Sequence, residues 1–204
     1  NFPSKPIKIV VPFGPGGVAD LTARIVAQKM GSKIGQSVVV ENRPGAGGVV
    51  AGDLVAKADP DGHTLLLMSN GTAISATLFQ KLPYDTLKDF EAISTLGFFD
   101  IGIVVNQYSP FQSLKDLINF SKSNPGKINI ASINIGSTQN LAAELFRLQA
   151  GLNLQVVPFN STPAVITAIR GEQVDAAVEI MGPLVPQIKS KSIRLLAVSG
   201  AKRS

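Results

Sequence analysis

Ile7–Asp20, IKIVVPFGPGGVAD, is the stretch whose reading decides the fold. The β-branched run Ile7 to Val11 reads as a buried strand. It breaks at Pro12, passes through Gly14, Gly16 and Gly17, and enters a helix led by Leu21, Ile25 and Val26. A strand, a glycine loop and a helix in that order aim backbone N–H groups at an anion. The first N–H groups of a helix have no intrahelical partner, and the aligned peptide dipoles leave partial positive charge there. Glycine lets the loop turn sharply and come close to a ligand.

Outward from this stretch, strand-like and helix-like segments alternate, which predicts an α/β fold with largely parallel sheets. Strands are expected at Ile7–Val11, Val38–Glu41, Thr64–Ser69, Glu91–Leu96, Ile101–Val105, Ile128–Ser132, Leu154–Val157, Asp175–Val178 and Ile193–Ser199. Helices are expected at Asp20–Lys33, Gly48–Lys57, Thr72–Lys81, Ser113–Ser123, Thr138–Ala150, Thr162–Arg170 and Leu184–Lys189. Gly31 and Gly35, Pro60-Asp61-Gly62, Asn124-Pro125-Gly126, Gly151 and Gly171 supply the breaks, and Ser113 and Ser161 or Thr162 supply helix caps. Ile128–Leu145 repeats the opening pattern: Ile-x-Ile, a loop reaching Gly136, then a helix entered through Asn140-Leu141 as the first is entered through Asp20-Leu21. The repeat predicts two similar lobes, each with a helix N-terminus at the carboxyl edge of its sheet, where ligands of open α/β sheets bind. The region from Pro83 to Val105, with Gly97 and Gly102, reads as the crossover, the glycines serving as a hinge or as packing accommodations.

Composition narrows the function. The 204 residues are 45% hydrophobic, with mean hydropathy +0.24, which excludes disorder. No apolar run approaches the ~20 residues of a membrane helix. Cysteine is absent, so thiolate chemistry and cysteine-held metals are out. His63 is the single histidine, in a turn, so a Ser/His/Asp triad or a histidine metal site has no assembly. The net charge of +5 favours small anions, and equally nucleic acid or a membrane surface. Basic residues are scattered, close together only at Lys202–Arg203 and in the Lys189/Lys191/Arg194 group, and tryptophan is absent, so no nucleic-acid partner is expected. The sequence opens at Asn1, and the expectation is a mature chain whose leader has been removed.

Five glycine-rich or hydroxyl-rich segments could line a site. Gly14, Gly16 and Ala19 also fit a relaxed dinucleotide fingerprint, with Glu41 as the ribose-binding acid, which keeps a nucleotide-dependent enzyme as an alternative. Asn42–Gly48 is a second loop; its Arg43 either clamps a carboxylate or pairs with Glu41. Ser69-Asn70-Gly71-Thr72 ends the third strand with short polar side chains that cap a helix, touch a ligand, or both. Gly136, Ser137 and Thr138 have the same double reading, and Phe159–Pro163 would place another helix N-terminus. Asp175 and Glu179 bracket an apolar strand as a carboxylate pair or as separate polar contacts. No nucleophile with a base partner emerges, so no catalytic residue, metal or cofactor is expected.

Lys5-Pro6-Ile7, Val11-Pro12-Phe13 through Gly16-Gly17 to Asp20 and Ala23-Arg24, Val40–Gly48, and Ala58–Leu66 together form a specific pattern. It resembles the Bug family, the TctC-like periplasmic solute-binding receptors of tripartite tricarboxylate transporters. Gly136-Ser137, Gly171–Asp175 and Ile193–Arg203 extend the resemblance over the whole chain. It implies a two-lobed, periplasmic-binding-protein-like α/β receptor, with lobes at residues 1–97 and 98–204 and a small carboxylate held in the cleft without catalysis. It implies periplasmic location and membrane components of the transporter as partners. Carried onto this sequence, Phe13, Gly14, Gly16, Gly17 and Asp20 form the first half of the site, with Asn70 and Thr72 beside them. Gly136, Ser137 and Thr138 form the second half, with Ser161 and Glu179 as further contacts. Asp20 is expected to orient water or cap its helix rather than meet a carboxylate. Asn140 stands where many members have His. Members run beyond the point matching Ser204, and their tail completes the first lobe; the expectation here is a first lobe without that completion. A sensor or interaction module is the remaining alternative.

Overall fold

The glycine loop sits between the first strand and the first helix of a parallel three-stranded sheet. The computed structural model describes residues 2–78 and 81–200, which divide into two compact units between Leu96 and Gly97. In the first unit, β1 (Ile7–Val11), α1 (Val18–Ile34), β2 (Val38–Asn42), a short 3-10 turn (Ala46–Gly48), α2 (Val49–Ala56), β3 (Thr64–Leu66) and α3 (Asn70–Leu78) follow in order. The sheet order is β2-β1-β3, all parallel, with Ile9 opposite Val40 and Leu65. Ile9, Val11, Ala23 and Ala27 form its core with Val38, Val40, Leu65 and Leu67 around them.

The second unit carries β4 (Ile101–Asn106), α4 (Leu114–Ser123), β5 (Asn129–Ile133), α5 (Thr138–Gln149), β6 (Gln155–Phe159), α6 (Thr162–Arg170), β7 (Ala176–Ile180), α7 (Met181–Lys189) and β8 (Ile193–Val198). Its sheet order is β6-β5-β7-β4-β8. β5, β6 and β7 are parallel, whereas β4 runs antiparallel to both β7 and β8, the one reversed strand among those described. Val105, Leu117, Ile128, Ile130, Ala143, Leu154, Ala176 and Val178 make the core. Gly102 of β4 is a packing position: a Cβ there would stand 2.6 Å from the Met181 sulfur and 3.0 Å from Leu195.

The two units repeat one topology. In each, the first strand of a β-α-β-α-β run lies in the middle, so β2-β1-β3 corresponds to β6-β5-β7. Successive connections therefore leave the central strand to opposite sides, which opens a crevice at the carboxyl ends of β1 and β3 and again of β5 and β7. This is where open α/β sheets take ligands.

Two expectations are corrected. Glu91–Leu96 forms no strand; the residues from 90 to 100 carry no regular structure, and Ile93 stands 79% exposed. Its β-forming composition finds no neighbouring strand, and strand propensity counts only when pairing and burial reward it. Leu21 and Ile25 do not lead the buried face of α1, being 46% and 64% exposed. The helix instead lays Ala19, Ala23, Ala27 and Met30 on the sheet, small residues at i, i+4 spacing that allow close approach. The expected helix Thr72–Lys81 starts two residues early, at Asn70; its residues 79–80, like the basic pair Lys202–Arg203, lie outside the described residues. Among the described residues no helix is long and apolar enough to cross a membrane.

Candidate functional site

Gly16 sits in the left-handed region (φ 81°), a conformation that suits a residue without a Cβ. Its N–H donates to Asp20 Oδ2 at 2.9 Å, four residues on. Asp20 is only 2% exposed, and its other bonds come from Arg24 Nε (3.0 and 3.1 Å), Arg24 Nη2 (2.9 Å) and Asn42 Nδ2 (3.0 Å). Asn42, at the end of β2, spends its second amide hydrogen on the Phe13 carbonyl at 3.0 Å. Burial pushes the Asp20 carboxyl up, but the bonds from Arg24, Gly16 and Asn42 together outweigh it and hold the group below the usual range. Asp20 is thus the clasp of the loop, its acceptors already used. At the head of α1, Gly17 brings no capping side chain, so no N-cap side chain takes up the first amides of the helix.

Two further segments join this edge of the first unit. A Cβ on Gly48 (φ 100°) would meet Pro12 at 3.3 Å and Thr72 Oγ1 at 3.5 Å, so the second glycine loop packs directly on the first loop and on α3. Thr72 is buried and reciprocates with Ser69: its hydroxyl accepts from the Ser69 N–H, while the Ser69 carbonyl accepts from its own. Ser75 bonds the Gly47 and Gly71 carbonyls. Thr72 is therefore a cap and a spacer, whereas Asn70 is exposed at the first turn of α3.

The second unit repeats the clasp with a neutral residue. Gly136 (φ 83°) donates to Asn140 Oδ1 at 3.3 Å, and Asn140 Nδ2 donates to Ser132 Oγ at 3.2 Å. Ser137 caps α5, accepting from the Asn140 N–H at 3.1 Å and donating to the Ile133 carbonyl at 2.9 Å. Thr138 is half-buried at the first turn. Ser161 caps α6 through a longer 3.4 Å bond from the Ala164 N–H.

Glu179 lies at the carboxyl end of β7 with no exposed surface. Its Oε1 accepts from Gln139 Nε2 at 2.6 Å and from the Ile180 N–H at 2.7 Å. Its Oε2 is buried with no partner among the described residues. Burial pushes this acid up from the ordinary glutamate range; the Gln139 amide and the Ile180 N–H, with Thr162 close by but not hydrogen-bonded, oppose that only in part. Gln139 and Thr162 belong to the first turns of α5 and α6. The structure thus gathers Gly136, Ser137, Thr138, Ser161 and Glu179 at one sheet edge, and adds Gln139, Thr162, Asn140 and Ser132. The readable trace of Asn140 was its spacing, four residues after a loop glycine, as Asp20 follows Gly16.

Other candidates fall away. Asp175 binds the Asn129 N–H at 2.8 Å at the opposite end of β7, so it forms no pair with Glu179. Glu41 is engaged by Lys8 at 2.8 Å and by Arg43, which occupies the acid that a dinucleotide reading needs for a ribose. His63 is buried, accepting from the Ser4 N–H at 3.2 Å.

Comparison with known proteins bears on the family and the fold. The profile of the TctC family, described as tripartite tricarboxylate transporter family receptor, matches residues 22–204. Protein BugT of Bordetella pertussis is 36% identical over 206 residues, covering all of this chain and 63% of BugT. Among solved structures, a Rhodopseudomonas palustris protein with adipate superposes with TM-score 0.94 at 29% identity, covering all of this chain and 68% of that one. MatC of the same organism, with bound malate, gives TM-score 0.90 at 30% identity, covering 99% and 69%. The chain spans about three fifths of the length of the curated relatives it matches. The two-unit α/β fold, the paired glycine clasps and the family match together establish that this chain belongs to the TctC family of tripartite tricarboxylate transporter receptors.

Proposed function

We propose that the chain is the ligand-binding part of a periplasmic receptor that takes up a small carboxylate and hands it to membrane components of a tripartite tricarboxylate transporter. The observation that carries this reading is the uncapped start of α1 behind a glycine loop whose acid, Asp20, is fully engaged. Such an end offers preorganised amide donors and positive helix potential with no competing free carboxylate. Backbone around Phe13, Gly14, Gly16 and Gly17 then binds in the first unit, with Asn70 at its rim and Asp20 and Thr72 holding the loops in place. In the second unit, Gly136, Ser137, Thr138 and Ser161 supply amides and hydroxyls. The adipate and malate held by the two solved relatives support a dicarboxylate-sized ligand. No step here needs a catalytic group or a cofactor.

Thermal unfolding against a panel of C3–C10 mono- and dicarboxylates, amino acids, NAD and ATP tests the proposal. A ligand that binds only the folded state adds about 2.7 kcal/mol at a hundredfold excess over Kd. A raised midpoint with a few carboxylates and none with nucleotides is the expected result; a response to NAD or ATP alone overturns it.

A further inference from the structure

The second unit contains a feature that amide donors alone do not explain. Glu179 stands at the carboxyl end of β7, beside β5, where the strand connections diverge. One of its oxygens is tied to Gln139 in the first turn of α5 and to the N–H that leads into α7, and the other is buried and unpartnered. The equivalent point of the first unit carries no acid. Ile9 pairs with Leu65 as Ile130 pairs with Ala176; three residues further on stand Met68, just past the end of β3, and Glu179, still within β7, the first exposed and the second sealed.

The surroundings of Glu179 are neutral on every element that meets it. β4 places Gly102 opposite it, with no side chain at all. α5 contributes Gln139, α6 contributes Thr162, and α7 begins with Met181 next to Ile180. Among the described residues no lysine, arginine, histidine or second carboxylate forms an ion pair or hydrogen bond with it. A carboxylate ligand seated on the first amides of α5 would therefore meet Glu179 with no cation between them. Two carboxylates brought within a few ångströms of each other do not both stay ionised.

We propose that Glu179 is the positioning residue of the second unit's carboxylate site, and that an anion is bound there only together with one proton on the Glu179 carboxyl group. The neutral acid holds the Gln139 side chain and the starts of α5 and α6 in place. Ionised, it repels the ligand from the same amides. Affinity is therefore level at acid pH and falls about tenfold per pH unit above the point where Glu179 loses its proton. This inference rests on the carboxylate-receptor reading.

The test is isothermal titration of the full chain with malate and with adipate, from about pH 5 to about pH 9, in buffers of different ionisation enthalpy. The native chain is expected to take up close to one proton per ligand on the alkaline side and to lose affinity there. Glu179→Gln, which mimics the protonated acid, is expected to bind with a flat pH profile and no proton uptake. If that variant does not fold, proton uptake by the native chain decides alone. Binding with no proton uptake at any pH, or an unchanged alkaline loss in Glu179→Gln, overturns the role of Glu179 and leaves the receptor reading standing. Failure of the native chain to bind any carboxylate of the panel at any pH overturns both.

Discussion

Asp20→Ala tests whether one buried carboxylate builds the first glycine loop. The native group accepts from the Gly16 N–H, Asn42 Nδ2 and the Arg24 guanidinium at 2.9 to 3.1 Å. Arg24 is half exposed, so its guanidinium returns to water and that part of the loss stays within about 1 kcal/mol. The Gly16 N–H and one Asn42 hydrogen lose a charged acceptor in a largely buried setting, at roughly 1–3 kcal/mol each. The total is about 2–7 kcal/mol, and each kcal/mol lowers the melting point of a unit of this size by roughly 4–8 °C. Asp20→Asn is expected to cost about half as much, because Asn140 already performs the same clasp on Gly136 with an amide. Urea unfolding followed by circular dichroism, with linear extrapolation to water, measures both. The acid dependence adds a second check. The folded-state carboxyl sits below its ordinary value, so its stabilisation is complete above the unfolded value of about 4 and is lost as pH falls through the folded one. The deficit of Asp20→Asn should accordingly shrink in acid. Asp20→Ala within about 0.5 kcal/mol of native, or Asp20→Asn as damaging as Asp20→Ala, would refute the clasp.

Other perturbations follow from the same packing. A Cβ on Gly52 would lie 2.5 Å from the Tyr84 ring, so Gly52→Ala should destabilise by about 1–3 kcal/mol through overpacking, and the double variant with Tyr84→Leu should recover part of it; additive losses in that cycle would contradict the contact. Ser137→Ala removes the α5 cap and a bond to the Ile133 carbonyl and should cost about 1–2 kcal/mol, more than Ser161→Ala with its 3.4 Å cap; the reverse order in chemical denaturation would argue against it. The Lys5 ion pair and the His63 N–H hold Asp61 down at about 2, so this pair stabilises above the unfolded value of about 4 and fades as pH falls towards about 2. NMR titration of the Asp61 side chain reads this directly, and an ordinary midpoint would exclude the pair.

The parts of the fold set by local chemistry were readable from the chain. The strand Ile7–Val11, the left-handed glycines at 16 and 136 and the caps at Ser113, Ser137 and Ser161 each depend on residues within one turn. What the sequence hid was long-range. Glu91–Leu96 has strand composition but no neighbour to pair with, while the shorter β3 has β1. The helical spacing of Leu21 and Ile25 signals an apolar stripe, yet the alanines at 19, 23 and 27 win the sheet because close packing favours small side chains. In the site, the Gly16–Asp20 bond spans four residues and could be inferred from spacing. The Asn42 amide that completes it comes from the next strand, and Gln139 reaches Glu179 across 40 residues; neither is visible without the fold.

Both units face the same electrostatic problem and meet it differently. A site that attracts anions through backbone amides cannot tolerate an uncompensated negative charge beside it, because a like charge a few ångströms away cancels the modest potential of a helix end. In the first unit the acid that shapes the loop stays ionised and is neutralised by Arg24, with Asn42 and the loop glycine taking up the remaining lone pairs. In the second unit the clasp is the uncharged Asn140, and among the described residues no cation pairs with Glu179. Pairing keeps the first edge neutral over a wide pH range, since guanidinium does not titrate in that range. The second edge is neutral only while Glu179 keeps its proton. On the proposed reading, the same βαβαβ topology gives one edge that stays neutral until Asp20 itself takes a proton in acid and one whose strength for a carboxylate is set by a single buried acid.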